Sequence, residues 1–126
     1  MRSMVALTGA TLNSEERASI EIFVASLRER LGEELRAVWL YGSRARGEEP
    51  GEYSDVDLLV ITDGGRDRDS SEVNRLAWEA ATAGGMSPPL LAPHVMSPGR
   101  LANRREIKSF FIQEVDRDKI VLHGEL

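Results

Sequence analysis

The sequence predicts a small α/β or α+β domain in which helices pack on one β-sheet. Apolar residues recur every three or four positions in some stretches and form short, nearly continuous runs in others. These stretches follow in the order helix, strand, glycine turn, strand, helix, strand, helix. With 126 residues the chain can bury one modest core. We therefore expect a single domain over 13–126, preceded by a flexible arm over 1–12 that lacks periodicity.

The composition excludes several classes of protein. A formal net charge of -5 argues against free-standing nucleic-acid binding, which depends on neutralising phosphates, although a local basic patch stays open. The chain contains no cysteine, which excludes disulfides, thiolate metal sites and cysteine nucleophiles. No apolar run approaches the roughly 20 residues of a membrane span, and no signal peptide is recognisable. The expectation is a cytoplasmic protein without a membrane partner.

The first helix has a clear start and stop. Asn13 followed by Glu16 predicts a capping box, so the helix begins at Ser14, and Gly32 ends it. Its apolar positions recur at intervals of three and four: Ile20, Phe23, Val24, Leu27 and Leu31. The run Leu35–Tyr41 that follows predicts a strand covered on both faces, because it is nearly continuous in apolar character.

The second half of the chain predicts two more strands, two helices and a short ending strand. Asp55 to Thr62 predicts the clearest strand, and Leu90 to Met96 predicts a weaker one at an edge of the sheet, because it contains proline. We expect 66–71 to be mobile, with Ser70 or Ser71 capping the second helix. One further helix after Ser97-Pro98 carries the remaining apolar positions, and 120–122 adds a strand. Those positions are Leu101, Ile107, Phe110, Phe111 and Val115.

Two aspartates at the head of the clearest strand suggest a metal site. Side chains alternate along a strand, so Asp55 and Asp57 point the same way, about 6.6–6.8 Å apart at Cα. Mg²⁺ prefers one or two carboxylates together with waters and substrate phosphates. The alternative is that both are solvated acids at a strand start, although aspartate is depleted within strands.

The glycine turn before this strand suggests a phosphate site. Gly42 lacks a Cβ, so backbone N–H groups can approach a phosphate closely, and Ser43 adds a hydroxyl donor. A helical turn over 44–49 would aim its positive end at the anion. By itself a Gly-Ser turn after a strand is more often only a turn, and its spacing to Asp55 and Asp57 makes it specific.

The motif G-S-R-A-R-G (42–47), followed by S-D-V-D-L-L-V (54–60), resembles the nucleotidyltransferase superfamily that includes DNA polymerase beta. It is most similar to the minimal nucleotidyltransferases of bacteria and archaea. The resemblance implies a polymerase-beta-like fold, a mixed sheet flanked by helices. It also implies that Mg²⁺ or Mn²⁺ binds the catalytic residues Asp55 and Asp57. Three further positions would serve the nucleoside triphosphate: Gly42 and Ser43 hold it, and Ser54 supports the loop.

The activity that the resemblance implies is transfer of a nucleotidyl group, AMP from ATP, to a hydroxyl of a protein, RNA or small molecule. Relatives usually add a third carboxylate on a neighbouring strand, but Leu90 to Met96 contains none. His94 is the titratable residue there, and it is either a base or ligand or a partly buried structural residue. Arg44 and Arg46 either contact phosphates or pair with nearby glutamates.

Two alternatives to a free-standing enzyme stay open at this point. Minimal nucleotidyltransferases often act as the antitoxin of a two-protein system, beside a small all-helical toxin of the HEPN type. The short chain lacks an acceptor-binding domain of its own, and such a partner or a homodimer would fill that gap. The second alternative is a degenerate nucleotide-binding domain without the third carboxylate.

Overall fold

A computed structural model describes residues 7, 9–51, 54–124 and 126. Within these residues four helices and four strands follow one another along the chain. Their bounds are α1 (Ser14–Leu31), β1 (Leu35–Tyr41), β2 (Val56–Thr62), α2 (Gly65–Ala83), β3 (Leu91–Met96), α3 (Pro98–Glu106), α4 (Phe110–Asp118) and β4 (Ile120–Gly124). A short 3₁₀ turn, Gly32–Glu34, links α1 to β1.

The strands form one mixed sheet in the order β3-β2-β1-β4. Strand β1 pairs antiparallel with both β2 and β4, whereas β2 and β3 run parallel. The parallel pair follows from the crossover through α2, since parallel neighbours need a long connection. The predicted α+β class with a mixed sheet is confirmed, and so is the edge position of the proline-containing β3.

Helices cover both faces of the sheet, and β2 is buried between them. Val38 and Val60 belong to the cluster packed against α1 and α2, whereas Trp39, Leu59 and Ile61 belong to the cluster packed against α3 and α4. This alternation explains the nearly continuous apolar runs of β1 and β2, because both of their faces exclude water.

The predicted start of α1 is confirmed. Asn13 Oδ1 accepts from the Glu16 N–H at 2.8 Å, and Glu16 Oε1 accepts from the Asn13 N–H at 2.9 Å, which closes the capping box. The predicted strand at 120–122 is also present and extends to Gly124 as β4. Within the described residues, no helix is long and apolar enough to span a membrane.

The expectation of a mobile segment over 66–71 is wrong, because α2 is helical from Gly65. The Thr62 hydroxyl accepts from the Gly65 N–H at 2.9 Å and donates to Asp69 Oδ2 at 2.5 Å. These bonds hold the first turn of the helix, so neither predicted serine acts as its N-cap. Strand β2 also begins one residue later than predicted, which leaves Asp55 just outside it.

The single helix predicted after Ser97-Pro98 is wrong, because the chain forms two helices there. The first, α3, ends at Glu106, and Lys108 adopts φ +55°, which interrupts the helical path. Ser109 then caps α4, since its Oγ accepts from the Ile112 N–H at 3.2 Å. The break turns α4 so that the pair Phe110 and Phe111 opens a new helix instead of continuing an old one.

The predicted flexible arm falls largely outside the described residues, since 1–6 and 8 are not among them. Of the described part, Leu7 is fully buried in the cluster under α1 and α2. The Thr11 N–H donates to the Arg44 carbonyl at 2.9 Å, which ties this segment to the loop after β1.

Candidate functional site

The candidate site lies at one end of the sheet, where β1 ends and β2 begins. Asp57 pairs with Tyr41 of β1 on one side and with Ala92 of β3 on the other. Asp57 lies on the same face of β2 as Leu59, which packs under α3 and α4. The Asp57 carboxylate is half-buried at the start of a central strand, between β1 and β3 and beside the glycine turn.

The backbone of Gly42 lies against the Asp57 carboxylate. A Cβ at Gly42 would stand 2.8 Å from Asp57 Oδ2, closer than real Cβ atoms come to another atom. Gly42 also adopts φ +81°, the left-handed region that only glycine enters at little cost. The glycine is thus required both by its backbone conformation and by the close approach of the Asp57 carboxylate.

The site concentrates negative charge. Burial, and then the neighbouring Asp55, raise the pKa of Asp57, whereas Arg44 acts in the opposite direction. Burial and Asp57 together raise the pKa of Tyr41 to about 12. A bound cation would relieve this charge, and two carboxylates suit the preference of Mg²⁺ for oxygen ligands. Among the described residues, no group of three or more His, Asp or Glu side chains is arranged to hold a metal.

Arg44 is buried and binds within the protein. Its guanidinium donates to Glu16 Oε1 at 2.7 Å, to the Thr11 carbonyl at 3.2 Å, and to the Ser54 carbonyl at 2.9 Å. Because Ser54 precedes Asp55, this network fixes the loop that carries the aspartates to helix α1. These contacts favour a supporting role for Arg44 and Ser54, and their contact with a nucleotide stays a prediction.

Arg46, the second arginine of the turn, is exposed. It donates to Glu48 at 2.8 Å and to Asp118 of α4 at 3.2 Å. Pairing with a nearby glutamate, one of the two alternatives for this residue, is therefore present, and a phosphate contact stays a prediction. The turn itself closes with Ala45 and Arg46 N–H groups donating to the Gly42 carbonyl at 3.1 and 3.2 Å.

Strand β3 supplies no acid beside Asp57. The register places Ala92 next to Asp57 and His94 next to Leu59, so His94 lies two residues further along the same face. The His94 ring stacks on Phe111 with centroids 5.3 Å apart. His94 is exposed to solvent, yet desolvation, and then Arg66, lower its pKa, which favours the neutral imidazole near pH 7.

Phe111 is the residue that sequence reasoning missed. It was expected as a core position of a long helix, yet its ring is partly exposed and packs edge-on against Tyr41 at 5.5 Å. With His94 on its other side, Phe111 forms an aromatic wall next to Asp57. The serine at 109 was the available signal, because a helix cap there makes Phe111 a first-turn residue.

Comparisons of the fold identify similar solved structures. A crystal structure of a mutant of the toxin-antitoxin MntA-HpeT matches with a TM-score of 0.52 and 20% identity, over 91% of this chain and 75% of that chain. A second mutant of the same pair has a TM-score of 0.48 and 19% identity, over 90% and 75% of the two chains. A Sulfolobus solfataricus protein described as a nucleotidyltransferase has a TM-score of 0.42 and 18% identity, over 91% of each chain.

No curated protein matches the sequence at a significant level. The family model of the nucleotidyltransferase domain, in contrast, matches residues 20–123. That range includes the glycine turn, both aspartates and His94, and it contains three of the four strands completely. Since the model covers most of the chain, the protein belongs to the nucleotidyltransferase domain family.

Proposed function

We propose that this protein is a nucleotidyltransferase that transfers a nucleotidyl group, AMP from ATP, to a hydroxyl of an acceptor. The observation that carries the proposal is the contact of the Gly42 turn with Asp57, where a Cβ would stand 2.8 Å from the carboxylate. A turn without a side chain lets its N–H groups approach phosphates, and here they would do so beside a carboxylate.

Asp55 and Asp57 are the residues that would hold Mg²⁺ or Mn²⁺. Burial, and then Asp55, raise the pKa of Asp57, and a cation between the two carboxylates would offset both effects. When bound, a divalent cation would neutralise the charge of the phosphates and activate the attacking hydroxyl. ATP or another nucleoside triphosphate is the donor in this proposal.

The chain's own residues bind and orient the reactants. Gly42 and Ser43 would bind the triphosphate through N–H groups and the serine hydroxyl. Arg44 and Ser54 hold the loop, so that Asp55 keeps its position after the turn. The acceptor oxygen attacks the α-phosphorus, the bond from that phosphorus to the bridging oxygen breaks, and pyrophosphate leaves.

His94 is the proposed proton acceptor in place of a third carboxylate. It lies on the same face as Asp57, two residues beyond Ala92, and its lowered pKa leaves a ring nitrogen free to accept a proton at neutral pH. Changing His94 to glutamine should lower the transfer rate by about 10²-fold and leave ATP binding intact.

The direct test measures nucleotide binding and transfer separately. Calorimetry with ATP and Mg²⁺ should show binding to the wild type that is lost in the Asp55→Asn/Asp57→Asn variant. Transfer is then followed with labelled ATP and candidate protein, RNA and small-molecule acceptors. Binding without transfer to any acceptor would favour the degenerate nucleotide-binding domain. An absence of binding at millimolar ATP would reject both.

A second candidate function is the antitoxin half of a two-protein pair. The observation in its favour is an apolar corner between α3 and α4, where Ile107 is 57% exposed and Phe110 is 78% exposed. A matching solved structure is of the toxin-antitoxin MntA-HpeT. The partner that we propose for this chain is a small helical, HEPN-type protein.

Co-expression with the product of an adjacent gene tests this candidate. The wild type should co-purify with that product, and Phe110→Ser should not, while Trp78→Ser on α2 serves as a control at another exposed apolar residue. A sedimentation shift of the isolated protein that Phe110→Ser abolishes would assign the corner to a homodimer instead.

A further inference from the structure

A cavity of about 610 Å³ on the α3 and α4 side of the sheet gathers three arginines. Arg66 comes from the first turn of α2, and Arg100 and Arg104 lie one turn apart on α3. His94 of β3, Phe111 of α4 and Asp67 of α2 also line the cavity.

These three arginines differ from most others in the chain. Arg75 pairs with Glu72 and Glu79, and Arg105 pairs with Asp116. Such pairs are expected in a protein with more carboxylates than basic side chains. Within the described residues, neither a hydrogen bond nor an ion pair joins Arg66, Arg100 or Arg104 to a carboxylate. Three guanidinium groups around one cavity, in a chain with a net charge of -5, therefore leave local positive charge that an anion would neutralise.

The cavity lies on the same face of the sheet as the candidate site, towards the C-terminal ends of β2 and β3, and His94 is its lining residue in the part of β3 closest to Asp57. Along β3, Ala92 lies beside Asp57, and His94 follows two residues later, about 7 Å along the strand. The ring of Phe111 contacts both His94 and Tyr41, which is the partner of Asp57 in β1. A ligand that fills the cavity and extends along this face beyond the aromatic wall would approach the aspartates.

We propose that this cavity binds the phosphate groups of the acceptor, which is a nucleotide, either free or at the end of a single-stranded RNA. Arginine recognises phosphate through paired N–H donors, and aromatic rings beside such a groove stack on bases. In this arrangement the phosphate lies among Arg66, Arg100 and Arg104, and the base lies over His94 and Phe111. The ribose hydroxyl then points towards Asp57.

The inference rests on the proposed function for its chemical step. The ribose hydroxyl oxygen forms a bond to the α-phosphorus of the nucleoside triphosphate, and the bond to the bridging oxygen breaks. Pyrophosphate leaves with that electron pair, and the hydroxyl proton passes to His94 and then to solvent. The product is the acceptor extended by one nucleotide.

Binding is tested without Mg²⁺ or ATP, so that the result does not depend on transfer. A fluorescently labelled, short oligoribonucleotide is titrated with wild type and with the variant Arg66→Gln/Arg100→Gln/Arg104→Gln, and anisotropy is measured at several salt concentrations. The control variant Arg28→Gln/Arg30→Gln/Arg75→Gln removes the same charge from the outer surfaces of α1 and α2.

The cavity variant should lose at least tenfold in affinity, whereas the control should bind like the wild type. Each single-strand phosphate contact adds about 0.7 to the salt slope, so the slope should fall by about 2 in the cavity variant only. Competition with free AMP distinguishes the two possible acceptors. If AMP displaces the labelled oligoribonucleotide at the same concentration as unlabelled RNA does, the acceptor is a free nucleotide. If only unlabelled RNA displaces it, the acceptor is the end of an RNA strand. Equal binding by both variants overturns the inference.

A transfer assay separates failure of this inference from failure of the proposed function. Transfer from labelled ATP to a non-nucleotide acceptor, unchanged in the cavity variant, would keep the function and overturn the inference. RNA binding lost in the cavity variant, with no transfer to any acceptor, would keep the cavity as a nucleotide site and overturn the function.

Discussion

The two faces of the sheet differ in how completely they are closed. On the face under α1 and α2, a large apolar cluster is sealed, and the Glu16–Arg44 ion pair lies buried at its edge. On the face under α3 and α4, the cluster is smaller, Asp57 is half-buried at its border, and Phe111 is partly exposed. We call the face under α1 and α2 the closed face and the face under α3 and α4 the open face.

Helix length explains the difference. Helices α1 and α2 contain 18 and 19 residues, whereas α3 and α4 contain 9 each. At 1.5 Å per residue the long helices span about 27 Å, enough to cover the sheet, and the short ones span about 14 Å. Asp57 lies outside the apolar cluster that α3 and α4 cover.

The largest expected effect comes from Asp57→Asn on the open face. Loss of the proposed cation ligand should lower nucleotidyl transfer by on the order of 10³-fold, as for removal of a charge-stabilising group in other active sites. The thermal midpoint should not fall, since burial already disfavours the charged form. The control is Asp63→Asn at the opposite end of β2, an exposed carboxylate that pairs with Arg36. Unchanged transfer in Asp57→Asn would show that Asp57 and the open face do not take part in the reaction.

The next largest effect is on stability and arises on the closed face. Glu16→Gln keeps an acceptor for the Asn13 cap but leaves the Arg44 guanidinium buried without its counter-charge. The expected loss is about 3 kcal/mol in the free energy of unfolding, measured by urea denaturation. Glu48→Gln, at the exposed pair with Arg46, should show no measurable change. If Glu16→Gln leaves stability unchanged, the buried pair does not hold the loop.

Gly42→Ala changes the turn after β1 and should lower both nucleotidyl transfer and stability. An alanine there would adopt φ +81° and place its Cβ against Asp57, at a cost of about 1–2 kcal/mol. Displacement of the carboxylate should also lower transfer by about 10²-fold, because misplacement by about 1 Å has that effect. Gly51→Ala is the matched control, since its added Cβ would meet nothing within 4 Å. Equal activity of the two variants would contradict the role of the turn.

Local patterns were enough to predict the closed face. The capping box predicts the start of α1, and a nearly continuous apolar run predicts the strand Leu35–Tyr41, and both are present. The glycine turn and Asp57 were also predictable, because glycine and aspartate are both depleted in strands, so Gly42 and Asp57 stand out from the apolar runs beside them.

Two features around the arginine cavity, the start of α2 and the break between α3 and α4, could not be predicted, for physical reasons. The start of α2 depends on Thr62 binding Gly65 and Asp69, contacts that arise only when β2 and the helix pack together. The break between α3 and α4 depends on a positive φ at Lys108, a residue with no preference for it. Because both features shape the arginine cavity, the cavity could not be predicted from the sequence.

The smallest effect is the pH dependence of stability, which should have opposite signs at two aspartates. The pKa of Asp57 is raised, so its ionisation opposes folding, and the wild type should lose stability relative to Asp57→Asn as pH rises from about 4 through the raised pKa. Arg68, and then Thr62, lower the pKa of Asp69, so this group stabilises the fold above about pH 4, and the benefit is lost as pH falls.

Thermal midpoints of wild type, Asp57→Asn and Asp69→Asn between pH 4 and 7 measure both signs. Asp57→Asn should be the more stable protein at pH 7 and Asp69→Asn the less stable one. Added Mg²⁺ should then raise the midpoint of the wild type but not that of Asp57→Asn, because a cation held by ionised carboxylates reverses their repulsion. A Mg²⁺ effect of equal size in both proteins would place the cation away from the open face.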